Sequence, residues 1–594
     1  MDADGNFDVV VLGTGLTESM TAAALSKAGF KVAHLDLNAY YGGDEASLSA
    51  DELAQWADAR SDPSSSSSPY LSAQRSRFTS ISRSPNVPDH TRHYSISLSP
   101  SLIPSVGPFI ASLVASGVAR YGGYRLLERV GIYDQTRGLQ NVPGSKEDVF
   151  KSKDMSLLDK RRLMRFLIFA SGDFEDTKEL QGHESAPFLG WLKSSFSLGD
   201  NTADAIAYAL AFCVSPEDTT LPALIRLRSH LRSSGRYGSS PFLVGHYGGL
   251  GEIAQGFCRV SAVAGGVYIL DRTLRSITPP SDPSAQSSAS MDNSSELPSS
   301  ASSNNLKYII QLDDFPEPLT ADLVISASDQ LPEDLQSLAY RLPQESVPPT
   351  HPIARGIIIL NRPIPFAAPS SSHEATSADE QSATNDDMNP ASSVGGGPSE
   401  VDTAVVVFPP SSVEGGSSTA AAHAFVTGQA SMSAPKGKYI VYLSLPFTDP
   451  TDVTPESLLK PYLNALLSLL SSPAPSEPHH EPAPGRSTPE PLFSLFYIQH
   501  PPSTPSSTSA PSPNPTLLVT PPPVPGLSAT ADAASASAEA LFFRAVESLK
   551  ALRPELNVDM EEGEAHSGSG GDVFAELKFW PPLEGEPEDV GEEW

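Results

Sequence analysis

Basic side chains are in short supply: 39 Lys and Arg stand against 70 Asp and Glu in 594 residues, a net charge of −31. Sequence-independent nucleic-acid binding rests on Lys and Arg neutralising phosphates, and docking on anionic lipid needs a polybasic patch. The composition argues against both. Cysteine is scarcer still, with only Cys213 and Cys258. Two are too few for a disulfide scaffold or a thiolate metal cluster, and they fit a reducing compartment. No apolar run reaches the ~18–20 residues that span a bilayer. Met1-Asp-Ala-Asp4 lacks the positive start of a signal peptide, so a soluble, cytosolic protein is expected. Enzyme signatures are missing too: no GxSxG elbow, HExxH, P-loop or cysteine pair at metal spacing. No catalytic or metal-binding residue is expected.

Proline is what the chain has in excess. Its 56 residues are roughly twice the ordinary share of ~5 %. Much of it lies in Ser/Ala/Pro tracts, which cannot bury enough apolar surface to offset the entropy of ordering. Residues 60–85, around Pro63-Ser-Ser-Ser-Ser-Ser68, are expected as a flexible polar insertion, and 278–304 and 368–400 as further low-complexity tracts. Pro-rich stretches cover 472–491 and 501–525, and Pro521-Pro-Pro523 favours an extended polyproline conformation. Between them the pattern predicts helices near Ile110–Val118, Ala203–Cys213, Leu221–Leu231, Pro455–Leu470 and Ala533–Leu552. Strands are predicted at Lys307–Leu312, Leu323–Ser328, Ile357–Leu360, Thr403–Phe408, Lys438–Leu443 and Leu492–Ile498. Ser156-Leu-Leu-Asp159 starts a basic-then-apolar helix as a capping box with Asp in place of Glu. The block from about 97 to 272 reads as mostly α. The tail 555–594 carries 13 acids and one lysine, which reads as solvated disorder or, with its interleaved aromatics, as a docking segment.

The N-terminus carries the clearest signal. Phe7-Asp-Val-Val-Val-Leu12 is a buried-strand pattern, Gly13-Thr-Gly15-Leu-Thr-Glu18 follows, a small-residue helix runs to Ala28, and Lys31–Leu35 is a second strand closed by Asp36. This is the βαβ opening of a Rossmann-like sheet. In a dinucleotide fold the third glycine of the loop allows close helix–strand packing; here Glu18 stands in its place. Its carboxylate lies in the first helical turn, where the helix dipole welcomes an anion and where a cofactor phosphate would bind. One fixed anion competes with another. The loop Gly13, Gly15, Glu18 with Asp36 is therefore read as degenerate and no cofactor is expected, with bound FAD or NAD as the alternative. Tyr40-Tyr-Gly-Gly43 then reads as an aromatic turn or a protein-binding surface. His34 reads as a core histidine.

A second dense motif, Tyr247-Gly-Gly-Leu-Gly-Glu252 through Arg259 to Gly265-Gly266-Val-Tyr-Ile-Leu270, predicts a helix over about 252–264 with a glycine stop and a following strand. Ile253, Gly256, Phe257 and Val260 fall on one side, and Glu252, Gln255 and Arg259 toward the other.

Gly13-Thr-Gly-Leu-Thr-Glu-Ser19, Tyr40–Gly43 and Tyr247–Leu270 together resemble the superfamily of Rab GDP-dissociation inhibitors and Rab escort proteins. The loop is similar to its GTGL(T/P)E form. Val142–Phe150, Lys151-Ser-Lys, Lys160–Leu167, Lys436–Tyr442, Pro491–Tyr497 and Phe579-Trp-Pro-Pro582 resemble the escort branch. The resemblance implies an α/β fold: a two-domain FAD-binding-like (Rossmann-type) architecture with a mostly α-helical second domain and disordered insertions. The implied layout gives the first domain residues 1–58, an insertion at 59–92, a connection at 93–110 and the helical domain at 111–232. The first domain resumes over 233–360, with an insertion at 276–305, and again over 401–471 after a disordered 361–400. A Pro/Ser-rich 472–525 with one strand and a C-terminal helix with acidic tail, 526–594, complete it. It further implies a Rab-binding platform of Tyr41, Glu252, Arg259, Val267 and Ile269, and a transferase contact at Phe166. The implied partners are Rab-type small GTPases, the Rab geranylgeranyltransferase heterodimer, geranylgeranyl lipid and, transiently, membranes. The implied role is non-catalytic.

Overall fold

A computed structural model describes residues 5–62, 64, 68–142, 155–280, 307–315, 317–343, 351–366, 400–448, 453–471, 489–501, 514–553 and 577–582. Most of the tail 555–594, the segment 143–154 and most of the low-complexity tracts lie outside them.

The N-terminal unit follows its sequence. Strand β1 (Asn6–Leu12) leads through the glycine loop into helix α1 (Leu16–Lys27), and strand β2 (Val32–Asp36) returns parallel to β1 with Val9 opposite Val32. On its far side β1 pairs, also in parallel, with Leu319–Ser326, so its central residues are buried on both faces. Val267–Leu270 forms the outer edge beyond β2, and Tyr308–Leu312 and Leu274–Thr278 complete the opposite side. Strand Asn514–Val519 joins the end of Leu319–Ser326 in parallel. The small side chains of α1 allow close approach: Leu16 through Ser26 are all buried. Helices Leu250–Val263 and Thr530–Leu552 pack against it.

A second sheet is assembled from distant segments. Its order is Phe78–Arg83, Phe493–Gln499, Ile353–Leu360, Tyr439–Pro446, Ala422–Thr427, Ala404–Phe408, Arg129–Asp134 and Gly138–Asn141. Strand alternation divides its two faces. Ile357, Ile359, Val405, Val407 and Phe425 face a helical block, made of Leu157–Ser171, Phe188–Phe196, Asp200–Leu210 and Thr220–Ser233. Ile358, Leu360, Val406 and Val441 face the helix Pro455–Ser471.

Two expectations change. Within the tract read as a flexible insertion, helices α2 (Ala50–Ser61) and α3 (Pro69–Arg77) flank the loop and Phe78–Arg83 is a sheet strand. Tyr70, Gln74, Arg77 and Phe78 supply the buried side chains that the serine count concealed. The middle block is not uniformly helical, because Tyr124–Leu126, Arg129–Asp134 and Gly138–Asn141 are strands. The strands of 401–471 belong to the second sheet.

Candidate functional site

The glycine loop takes the backbone shape of a dinucleotide site and fills it with the chain's own carboxyls. Gly13 has φ = +100°, and a Cβ there would come within 3.0 Å of Ala327. Gly15 caps α1, and a Cβ on it would lie 2.5 Å from Glu18 Oε2 and 3.2 Å from Glu45 Oε2. The room that a second glycine makes for a pyrophosphate is occupied by Glu18. Thr520 Oγ1 donates to Glu18 Oε1, and the Leu16 amide donates to Glu45 Oε2 at 3.4 Å. Asp44 pairs with Arg77, whose Nη1 is also 3.9 Å from Asp329. Burial pushes Glu18 up to about 7 and Glu45 up to about 8, where the charges of Asp44 and Glu18 add to the effect. Asp329 is raised to about 6 by burial and the nearby Asp44. Four carboxyls and one guanidinium thus surround a cavity of about 40 Å³, against the several hundred that a small-molecule site offers. An FAD pyrophosphate does not fit this donor set: the space is too small and the charge has the wrong sign.

Asp36 is committed as well. Its carboxylate accepts from the Thr14 amide at 2.8 Å, Thr14 Oγ1 at 2.6 Å, the Asn38 amide and Nδ2 at 2.9 Å each, and Gln330 Nε2 at 3.0 Å. The acid that would grip a ribose in a dinucleotide fold instead fastens β2 to the glycine loop.

The second motif builds an outward face. Tyr247 at φ = +53°, Gly248 at +83° and Gly249 at +85° make the turn into helix Leu250–Val263. A Cβ on Gly251 would meet the Ser47 amide nitrogen at 2.4 Å and the Glu45 carbonyl oxygen at 2.7 Å. The helix therefore sits directly on the loop that follows Tyr41. Ile253, Ala254, Phe257, Cys258 and Ser261 are buried, while Glu252, Gln255 and Arg259 are exposed. The Arg259 guanidinium lies 4.6 Å from the centroid of the Tyr121 ring, a cation–π contact that orients it. Val263 is 80 % exposed at the end of the same face.

Tyr41, half-buried, meets Tyr268 edge-on with ring centroids 6.1 Å apart. The Tyr268 hydroxyl is 3.1 Å from His34 Nδ1, and His34 Nε2 donates to the Gly13 carbonyl. Burial lowers His34 to about 4, so it is a neutral core histidine. Glu252 and Arg259 share the exposed side of one helix, and Tyr41 stands beside Tyr268 on the neighbouring edge strand. Val267 and Ile269 flank Tyr268 on the edge strand, and by strand alternation their side chains leave by the opposite face, where Ile269 packs near Leu35 and Ala33. They border the same edge without joining the group.

Phe166 is placed differently from the expectation. It is fully buried, with the ring centroids of Phe196 and Trp191 at 5.1 and 6.4 Å. Leu163, Phe166 and Ala170 are the buried stripe of the helix that Ser156 caps through the Asp159 amide. A residue in that stripe cannot touch a partner while the helix is packed; its exposed apolar neighbours are Leu157, Leu158 and Ile168.

Sequence reasoning missed Glu45, Asp329, Thr520 and Tyr268. The first three carry no local signal, because they meet Glu18 only through the fold. Tyr268 stood in the quoted motif and was given no part.

Residues 1–293 match the family model described as GDP dissociation inhibitor. Rab proteins geranylgeranyltransferase component A of Candida albicans is 31% identical over 281 residues, covering 46% of this chain and 42% of that protein. The Drosophila melanogaster protein of the same name is 33% identical over 292 residues, 46% and 55% of the two chains. Rab GDP dissociation inhibitor beta of Canis lupus familiaris is 30% identical over 276 residues, 46% and 57%. The matched region thus spans about half the length of these curated relatives. The crystal structure of Rab GDI from Plasmodium falciparum superposes with a TM-score of 0.55 at 19% identity, covering 92% of this chain and 98% of that one. That likeness is one of fold, and it extends well past residue 293. Over residues 1–293 the chain is therefore similar to the GDP dissociation inhibitor family, and over most of its length it shares the fold of the Rab GDI structure.

Proposed function

We propose that this protein acts as a Rab escort protein: it binds newly made Rab-type small GTPases and presents them to Rab geranylgeranyltransferase. It then shields the prenylated product until delivery. The observation that carries this reading is the pairing of a dinucleotide site closed by Glu18 and Glu45 with an outward helix face, Glu252 to Arg259, beside Tyr41. A fold that has given up its cofactor chemistry retains a built surface. The names of the component A relatives favour the escort role over a recycling one.

The physics suits the task. Burying an isoprenoid from water gains on the order of 0.8 kcal/mol per CH₂, so a twenty-carbon chain on a GTPase needs cover. The escort performs no chemistry in this reading. It holds the GTPase while the C-terminal cysteines reach a separate catalytic heterodimer, a proximity effect. Tyr41, Glu252 and Arg259 serve as the centre of the platform, with Val267 and Ile269 at its margin. The transferase docks on the helical block, where Leu157, Leu158 and Ile168 are exposed on the helix that buries Phe166. The protein works in the cytosol with transient membrane contact; no helix among the described residues is long and apolar enough to cross a membrane.

Reconstitution tests this. Purified transferase subunits, unprenylated Rab and this protein are incubated with labelled geranylgeranyl diphosphate. Label is expected on Rab only when the protein is present. Extraction of prenylated Rab from membranes without label transfer would instead make it a Rab GDP-dissociation inhibitor. Flavin absorbance in the purified protein would point to an oxidoreductase.

A further inference from the structure

The loop that carries Tyr41 also supplies two of the buried carboxyls. Gly43–Glu45 forms a single turn that places Asp44 and Glu45 on one cavity with Glu18 of α1 and with Asp329, which follows strand Leu319–Ser326. Gly42 has φ = +98° and Gly43 φ = +50°, a region that glycine enters without strain. The Gly42 amide donates to the Thr14 carbonyl and to Thr14 Oγ1, at 3.0 Å each. A Cβ on Gly42 would lie 2.9 Å from Ala46 Cα and 3.2 Å from Gly251 Cα. The loop is thus seated between the glycine turn of α1 and helix Leu250–Val263. Displacing residues 43–45 disturbs Tyr41 on one side and the first turn of that helix, with Glu252, on the other.

The charges in this seat do not balance. Arg77 of α3 bonds Asp44 and lies 3.9 Å from Asp329. Glu18 and Glu45 have no basic partner among the described residues; neutral donors, Thr520 Oγ1 and the Leu16 amide, meet them instead. Gln74 Nε2, also neutral, donates to Asp329. Tyr70 of α3 lines the cavity as a phenol that burial raises, and segment 520–523 brings no charge. With all four acids ionised, a space of about 40 Å³ would hold three net negative charges and little water to screen them. Protons on Glu18 and Glu45, held up to about 7 and 8 by burial, let the loop close.

We propose that proton release from the Glu18–Glu45 pair loosens loop 42–47 and withdraws the GTPase platform, so that this chain binds its partner more tightly at mildly acidic than at mildly alkaline pH. This rests on the Rab-binding reading above. In an open, solvated loop both acids would ionise near ~4.5. From pH 6.5 to 8.5 the closed loop then loses ground to the open one by on the order of a hundredfold. By reciprocity, the GTPase takes up protons as it binds.

The test measures Rab binding to the full chain by calorimetry at pH 6.5, 7.5 and 8.5, in buffers of different ionisation heat. Affinity is expected to fall at least fivefold across the range, with net proton uptake at pH 7.5. The double variant Glu18→Gln, Glu45→Gln keeps both acceptors and should hold one affinity throughout. Glu45→Gln alone removes the larger part of the fall if the double variant folds poorly. Without Rab, amide hydrogen exchange over 42–47 should be faster in the parent than in Glu45→Gln at pH 8.5 and equal at pH 6.5. A parent affinity that ignores pH overturns the proposal, and so does an equal fall in parent and variants. Rab binding at no pH would overturn the Rab reading instead. Exchange would then decide the loop, and equal rates at pH 8.5 overturn it.

Discussion

Two glycine turns launch the two helices that lie side by side in this molecule, and they end in opposite ways. Gly13-Thr-Gly15 starts α1, whose residues Leu16 through Ser26 are buried. Gly248-Gly249-Leu-Gly251 starts Leu250–Val263, which buries one side and turns Glu252, Gln255 and Arg259 to solvent. The backbone device is the same. What differs is the occupant of the helix N-terminus: carboxyls in the first case, the packed loop 45–47 in the second. A glycine pattern specifies a turn and a close approach, and what approaches decides the function.

The glycines themselves offer the hardest test of that contrast. Gly251→Ala places a Cβ against the backbone of Ser47 and Glu45, which cannot move aside cheaply. It should cost about 3 kcal/mol or more, read from the urea midpoint. Gly15→Ala meets a side-chain carboxyl instead and should cost less. The opposite order would mean that Glu18 is held more rigidly than the sheet backbone.

Acid–base behaviour comes next in size. The folded chain holds protons on Glu18 and Glu45 up to about 7 and 8, whereas the unfolded chain releases them near the ordinary value of ~4.5. Between those limits the folded state binds more protons, so their contribution to stability is greatest below pH ~4.5. It falls as pH rises to about 8 and is level above. Glu18→Gln keeps an acceptor for Thr520 and removes one of these protons. The variant should lose part of the downward slope and exceed the parent at pH 9 by on the order of 2 kcal/mol, measured by urea unfolding from pH 5 to 9. A slope unchanged by the substitution would mean that Glu18 is solvated, as in an open cofactor site.

On the outward helix the effects move from folding to binding. Arg259→Ala and Tyr41→Ala should each weaken Rab binding by roughly 1–2 kcal/mol, measured by calorimetry, with the unfolding midpoint held. Unchanged affinity in both would remove them from the platform. The smallest effect is expected for Val263→Ser: within ~0.5 kcal/mol in stability, because the side chain is 80 % exposed.

The same contrast separates what the sequence disclosed from what it hid. The βαβ unit, the helix Pro455–Ser471 and most later strands were legible because period and caps are local signals. The substitution of Glu18 for glycine was legible as a conflict of charge. The remainder depended on distant partners. Arg129 pairs with Ala404, and Thr520 donates to Glu18 across 502 positions, so no window of sequence contains either interaction. Serine content hid α3 and the strand Phe78–Arg83 behind a composition suited to loops. The burial of Phe166 could have been read from its spacing with Leu163 and Ala170, a stripe of i, i+3 and i+7. There the resemblance to a partner-binding segment outweighed the periodicity.

The position of Asn514–Val519 has a consequence for how the molecule is made. Strand β1 leaves the ribosome first, yet its neighbour Leu319–Ser326 follows about 310 residues later, and the strand and helix that finish the sheet and cover α1 follow after residue 514. At about 5–20 residues per second, the apolar Val9-Val10-Val11 waits roughly 25–100 s for the last of its surroundings. Synthesis rather than refolding is the vulnerable moment. A fragment ending at residue 293 would hold the whole matched region and still leave β1 with one open edge, so the chain beyond that region is what closes the sheet.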